Sequence, residues 1–381
     1  MTIEELEKYI RYENGISNVG NTEAVQNVMR RAAAGESIKL GFIGGSITQG
    51  SLSSTPETCY AYLVYKWWCA NFPKAEFTYI NAGIGGTTSQ FGAARAEDDL
   101  LQYAPDFVII EFSVNDDSTE HFKETYEGLV RRVLASPSHP AVMLVHNVFY
   151  NNGGNAQLMH ARIARHYDLP AVSMQSTIYK ALVDGAFDNR IITPDDLHPN
   201  DNGHALVSKV ITYYLDRIKE MAENESSTYC ASNELPKPLT VNAYEDSVRY
   251  RNDNSSPVLE GFVADNEPQS HITDCFKKGW RAAKTGDSIK FEVEGSCIAL
   301  QFRKTIKLPA PVAEAVIDGC RDKAVVLDAN FDETWGDKLE LYTLLEHGEN
   351  KKHTVEITIT KSQPEDASDF YLVSVIGSGR V

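Results

Sequence analysis

Apolar runs and apolar stripes alternate through the first ~220 residues. Five short continuous runs, Ile38–Ile43, Phe77–Ile80, Phe107–Phe112, Ala141–Val148 and Ala171–Met174, read as buried strands. Longer mixed segments follow each run. In one, Tyr60, Leu63, Val64, Trp67 and Trp68 recur at helical spacing and make a single apolar stripe, which assigns both tryptophans to the core. Further helices are expected near Ser89–Tyr103, Glu120–Leu134, Ala156–Tyr167 and Gly203–Glu220. Strands alternating with helices predict an α/β fold, a five-stranded parallel sheet flanked by helices. Sites in such sheets form at the carboxyl ends of the strands.

The pattern then changes. Glu220–Pro238 is polar and proline-marked and reads as part of a linker over residues 221–242. From Ala243 to Val381 the period falls to two, in Ser288–Glu294, Cys297–Lys304, Ala313–Asp318, Ala324–Ala329, Thr354–Thr360 and Phe370–Ile376. Gly295-Ser296 and Asp318-Gly319 have turn chemistry. Residues 243–381 are therefore expected to form an antiparallel β-sandwich of jelly-roll type, after a first domain over 1–220.

A length of 381 residues agrees with two domains. The net charge of −17 makes phosphate backbones and anionic lipid poor partners, so neither nucleic acid nor membrane is expected. The charged N-terminus lacks the apolar core of a secretory signal, which points to the cytoplasm. The cysteines, Cys59, Cys69, Cys230, Cys275, Cys297 and Cys320, form no CxxC pair and suggest idle thiols rather than disulfides or metal ligands.

Four segments carry candidate chemistry. Gly44-Gly45-Ser46 follows the first strand and would leave a serine hydroxyl at the sheet edge. Alone, it competes with a plain glycine turn and with a phosphate-cradling loop, although the P-loop lysine and the GxGxxG spacing are missing. Serine needs a base and an orienting carboxylate. Asp195 and His198, three apart, are candidates, against the alternative of a helix-capping aspartate beside a surface histidine. Asn81-Ala82-Gly83-Ile84-Gly85-Gly86 could bring a backbone N–H to a substrate oxygen, and Asn115 could present its amide.

Taken in this order, each at a strand end, the four segments resemble the SGNH hydrolase superfamily, also called GDSL esterases, over residues 38–215. The resemblance implies Ser46 as nucleophile, Ser46 N–H, Gly86 N–H and Asn115 as oxyanion donors, and Asp195 and His198 as the rest of the triad. Spacing counted back from His198 selects Asp195 over Asp196. Gly45 stands where the eponymous motif has Asp, a departure that shifts the subfamily. No metal or organic cofactor is implied.

An SGNH domain followed by a β-sandwich is also similar to the two-domain acetyl-mannan esterases of gut bacteria. That likeness implies O-acetyl groups on mannan-type oligosaccharides as substrate and a carbohydrate-binding-module-like second domain. A lipid or thioester acylhydrolase on the same catalytic domain is the alternative, and an idle sugar-binding protein a third reading. His146, at a strand end, and Trp280 and Trp335, in the second domain, are candidate substrate contacts. His204 reads as structural, and Asp116 as a loop carboxylate.

Overall fold

The computed structural model describes residues 1–224 and 234–380. The chain divides into two compact units, Met1–Asn242 and Ala243–Val381.

The first unit is built on a six-stranded sheet: β1 (Ile16–Asn18), β2 (Ile38–Gly44), β3 (Phe77–Gly83), β4 (Phe107–Glu111), β5 (Ala141–His146) and β6 (Ala171–Ser173). The spatial order is β1-β6-β5-β4-β2-β3. β2 to β6 pair in parallel. Every residue of β4 and β5 is buried, as expected of strands covered by helices on both faces.

The sixth strand corrects the expected count of five. β1 runs antiparallel to β6, with Ile16 opposite Val172 and a register shift before Asn18. Ile16-Ser17-Asn18 is too short and too polar to show as an apolar run, and it lies at the sheet edge, half-buried.

Functionally, the important feature is where the chain reverses direction across the sheet. β3 lies on one side of β2 and β4 on the other. The carboxyl end of β2 is therefore the topological switch point, where loops leave in opposite directions and open a crevice. The helix Tyr60–Asn71 buries Tyr60, Val64 and Trp68 as its stripe predicts. Trp67 sits at the rim, half-buried, its indole N–H donating to Asp216 at 3.0 Å.

The helix Asp201–Asn224 outruns the expected end at Glu220. Residues 234–242 are also not a free linker. Glu127 accepts hydrogen bonds from Leu239 N–H at 2.6 Å and Thr240 N–H at 2.8 Å, which ties the segment to the first unit. The middle of the expected linker, with Cys230, lies outside the described residues.

The second unit holds two antiparallel sheets around one apolar core. One contains Lys338–Leu345, Cys297–Lys304, Phe370–Ser378, Trp280–Ala282 and Val263–Ala264 in order, with Val248–Tyr250 also on Phe370–Ser378. The other contains Val325–Asp328, Val312–Ile317, Lys351–Lys361, Ser288–Gly295 and Val258–Glu260. Ser288–Gly295 alternates buried and exposed residues along its length, the mark of one face inward. The two expected turns differ in outcome. Asp318 and Gly319 both take positive φ and lead from one strand toward its paired neighbour. Gly295-Ser296 makes no hairpin: the strands on its two sides belong to different sheets, so the chain crosses the sandwich there.

Candidate active site

β2 ends at Gly44 and the next turn is a short helix, Ser46–Gln49, that starts on the serine. Gly45 permits this start by letting another loop come close. A Cβ there would lie 2.1 Å from Asn115 Oδ1, well inside contact distance. Ser46 is nearly buried, at 6% exposure, and its hydroxyl faces a histidine.

His198 Nε2 lies 2.9 Å from Ser46 Oγ, and His198 Nδ1 lies 2.6 Å from Asp195 Oδ2. The three-residue spacing works because Asp195 folds the turn around itself. Its Oδ1 accepts from His198 N–H at 2.7 Å and Leu197 N–H at 3.0 Å, an aspartate-centred turn that orients the imidazole. Burial raises the Asp195 pKa, but the His198 ring and the two backbone donors outweigh it and hold the carboxyl below its ordinary value. Asp196 takes positive φ and turns away, bonding Asn189 Nδ2 at 2.6 Å and Arg190 Nη2 at 2.9 Å. Geometry thus brings Ser46, His198 and Asp195 together and leaves Asp196 outside.

Two loops flank the serine. After β3, a Cβ on Gly85 would sit 3.6 Å from Ser46 Cβ, which places this loop beside the nucleophile position. Gly85 N–H is anchored on Gln49 Oε1 at 2.7 Å. Gly86 has φ +68° with open space where a side chain would be, so backbone conformation and not crowding demands glycine. After β4, Asn115 N–H donates to Phe112 O at 3.0 Å. Its side-chain amide lies against Gly45, with Oδ1 nearer than Nδ2 to the position a Gly45 Cβ would take, 2.1 Å against 3.3 Å.

A buried polar layer lies under these loops. Glu111 accepts from Ser113 N–H at 3.2 Å and from the Thr48 hydroxyl at 3.5 Å, and burial pushes its pKa up to about 7. Asp116 Oδ1 accepts from Ser89 N–H at 2.9 Å, and Oδ2 lies 3.1 Å from His160 Nε2. Burial pushes Asp116 up to about 7 and His160 down to about 3. From sequence alone Asp116 reads as a loop carboxylate. Its partners come from 27 and 44 residues away, so local sequence carries no signal for them.

Two candidate substrate contacts are corrected. His146 ends β5 but is fully buried, and its ring nitrogens find no partner among the described residues. Burial lowers its pKa to about 3, so the ring is a neutral core group. Trp280 is 1% exposed and packs edge-on against Phe291, at a centroid distance of 5.1 Å. Strand parity explains it: Trp280 and Ala282 face inward while Arg281 faces out. Trp335 is 61% exposed in the second unit and meets the Phe331 ring at 5.2 Å. His204 is structural as expected, buried with Nδ1 accepting Tyr60 N–H at 3.2 Å. Among the described residues no group of three His, Cys, Asp or Glu side chains is placed to hold a metal ion. No described helix is long and apolar enough to cross a membrane.

Residues 42–206 match the GDSL-like Lipase/Acylhydrolase family. Thioesterase 1/protease 1/lysophospholipase L1 of Escherichia coli K12 is 24% identical over 189 residues, 47% of this chain and 82% of that protein. The arylesterase of Vibrio mimicus is 26% identical over 203 residues, covering 48% and 91%. Both likenesses span about half of this chain. A solved two-domain esterase (CEX) active on acetylated mannans is similar throughout: 65% identical, TM-score 0.94, over 98% of this chain and 99% of that one. A second structure, of such an esterase co-crystallized with mannopentaose, is 65% identical with a TM-score of 0.93 over the same shares. With family motifs at the switch point and two-thirds identity along nearly the whole length to an esterase of the same two-part build, this chain belongs to the GDSL-like lipase/acylhydrolase, or SGNH hydrolase, family.

Proposed function

We propose that the protein is a serine esterase that removes O-acetyl groups from mannan-type oligosaccharides. The observation that carries the reaction is the unbroken relay from Ser46 Oγ through both ring nitrogens of His198 to Asp195. The substrate is inferred from the 65% identity to the esterase active on acetylated mannans.

In this reading Ser46 Oγ attacks the acetyl carbonyl while His198 Nε2 takes its proton. Asp195 holds the ring so that Nδ1 keeps its proton, and it stabilises the imidazolium that forms. The carbonyl oxygen gains negative charge, held by Ser46 N–H, Gly86 N–H and the Asn115 amide. Such donors act where charge develops and require no rearrangement at the moment of reaction. His198 then protonates the departing sugar hydroxyl. Water repeats the path on the acetyl-enzyme and releases acetate. In the second unit, Trp335 offers an exposed ring on which a pyranose face can stack.

The test is mass spectrometry of acetylated mannan and xylan oligosaccharides after incubation with wild type and Ser46→Ala. Loss of acetyl groups from mannan is expected, with the variant slower by on the order of 10⁴-fold or more. Equal rates on mannan and xylan would discard the narrow substrate, and undiminished activity of Ser46→Ala would discard the mechanism.

A further inference from the structure

We infer that Asp116 is a positioning residue that ties the two oxyanion-donor loops to each other. The inference deepens the esterase reading and rests on the assignment of Gly86 and Asn115 as donors.

Gly86 and Asn115 come from loops after different strands, β3 and β4, and their separation must be held for both to reach one oxygen. A displacement of about 1 Å in such a site is costly. Ser89 begins the helix Ser89–Asp99, three residues after Gly86, and Asp116 follows Asn115 directly. Thr88, at the N-cap position of that helix, makes no side-chain cap. The cap comes instead from the other loop, as Asp116 Oδ1 accepts the Ser89 N–H at 2.9 Å. A carboxylate oxygen at a helix N-terminus is also favoured by the helix dipole.

The carboxyl group is fixed on its far side as well. Oδ2 faces His160 Nε2 at 3.1 Å, and the His160 ring stacks on Tyr126 with centroids 3.6 Å apart and planes 4° from parallel. Asp116 N–H donates to Phe112 O at 2.9 Å. Asp116 is therefore held from its backbone and from both oxygens. Through Ser89 it passes that order to the loop carrying Gly86.

Proline substitution isolates this contact. Ser89→Pro deletes the N–H that Asp116 accepts, at a first helical position where proline is tolerated. Thr88 already has φ −102° and ψ 171°, in the extended region that a following proline favours. Ser89→Ala is the control. Like the proline it lacks the hydroxyl, which bonds Thr125 Oγ1 at 2.6 Å and also reaches the Asp116 carboxyl, but it keeps the N–H, so the two variants differ in that N–H.

The full chain is assayed for kcat and KM on a small aryl acetate, alongside Ser46→Ala. Ser89→Pro should lower kcat by about tenfold or more relative to Ser89→Ala, with KM within about twofold, because a displaced donor acts on the transition state. Asp116→Asn keeps an oxygen for Ser89 and should stay within about threefold of wild type, while Asp116→Ala should match Ser89→Pro. Equal kcat in Ser89→Pro and Ser89→Ala overturns the inference. If Ser89→Pro fails to fold, equal kcat in Asp116→Ala and Asp116→Asn overturns it instead. Wild-type activity that survives Ser46→Ala would overturn the esterase reading, and this inference with it. Ser46-dependent activity with no difference between the paired variants overturns the inference alone.

Discussion

Asp116 in the first unit and Asp265 in the second are both buried aspartates, yet they are treated in opposite ways. Burial raises the pKa of Asp265, but the Tyr371 hydroxyl at 2.7 Å, the Glu267 N–H and Arg281 at 2.9 Å outweigh it, and the carboxyl stays below its ordinary value. For Asp116, the Ser89 contacts and nearby His121 do not overcome burial, and the carboxyl is pushed up to about 7. His353 repeats the pattern of the second unit, lying 2.8 Å from Asp318. Glu111, His146 and His160 repeat that of the first, each driven toward its neutral form. Where burial serves a fold, charges are matched. Under the loops that surround Ser46, burial instead shifts Glu111, Asp116, His146 and His160 toward their neutral forms, beside one matched buried pair, Arg95 and Asp99 at 3.0 Å, whose arginine donates to Gly44 O.

The contrast also holds for the tryptophans of the second unit, and the largest effect tests it there. Trp280→Ala should destabilise that unit by about 3–5 kcal/mol, since it empties a site packed against Phe291 within the sandwich core. Denaturant titration checks this. A loss below about 1 kcal/mol would mean that the core collapses around the gap, and that sheet packing there is looser than the burial implies.

Residue pattern is a good guide to some parts of this molecule and a poor one to others. β2 to β6 are legible because each is a continuous apolar run between longer segments, and β1 is not because three half-buried residues carry no period. The relay is legible because Asp195 and His198 are three apart in one turn, so the motif contains its own geometry. His146 and Trp280 mislead for a common reason. A strand end or an aromatic can face either way, and the facing depends on parity and on layers contributed by distant segments. Gly295-Ser296 has turn composition, but composition does not tell a hairpin from a crossing between sheets.

An intermediate effect separates buried neutral groups from matched ones by their response to acid. His204 is buried, with Nδ1 accepting from Tyr60 N–H and Nε2 3.2 Å from Ser51 O. Burial lowers its pKa to about 4, partly opposed by the Ser51 carbonyl and Asp201. An unfolded histidine titrates near 6.5. As pH falls below that value the unfolded chain takes up the proton first, so stability falls with pH until the folded ring is protonated near 4. His204 alone should cost the first unit about 2 kcal/mol between about pH 7.5 and pH 5. His204→Gln can accept from Tyr60 and donate to Ser51 without titrating, and should remove that share of the pH slope. Parallel slopes in wild type and variant, measured by denaturant titration at both pH values, would show that His204 protonates in the folded state at little cost.

The smallest effect concerns the second tryptophan. Trp335 is 61% exposed and touches Phe331 edge-on, so Trp335→Ala removes little buried surface and should change stability by less than about 0.5 kcal/mol. If its ring stacks on sugar, the substitution should lower kcat/KM on acetylated mannooligosaccharides by about fivefold, which corresponds to about 1 kcal/mol of aromatic contact. Hydrolysis of a small aryl acetate, which has no pyranose to stack, should be unchanged. Equal losses on both substrates would mean that the loop supports the fold, and the two tryptophans would then differ only in degree. A loss confined to the oligosaccharide would make them opposites: Trp280 stabilises the sandwich and contributes nothing to binding, while Trp335 contributes to binding and little to stability.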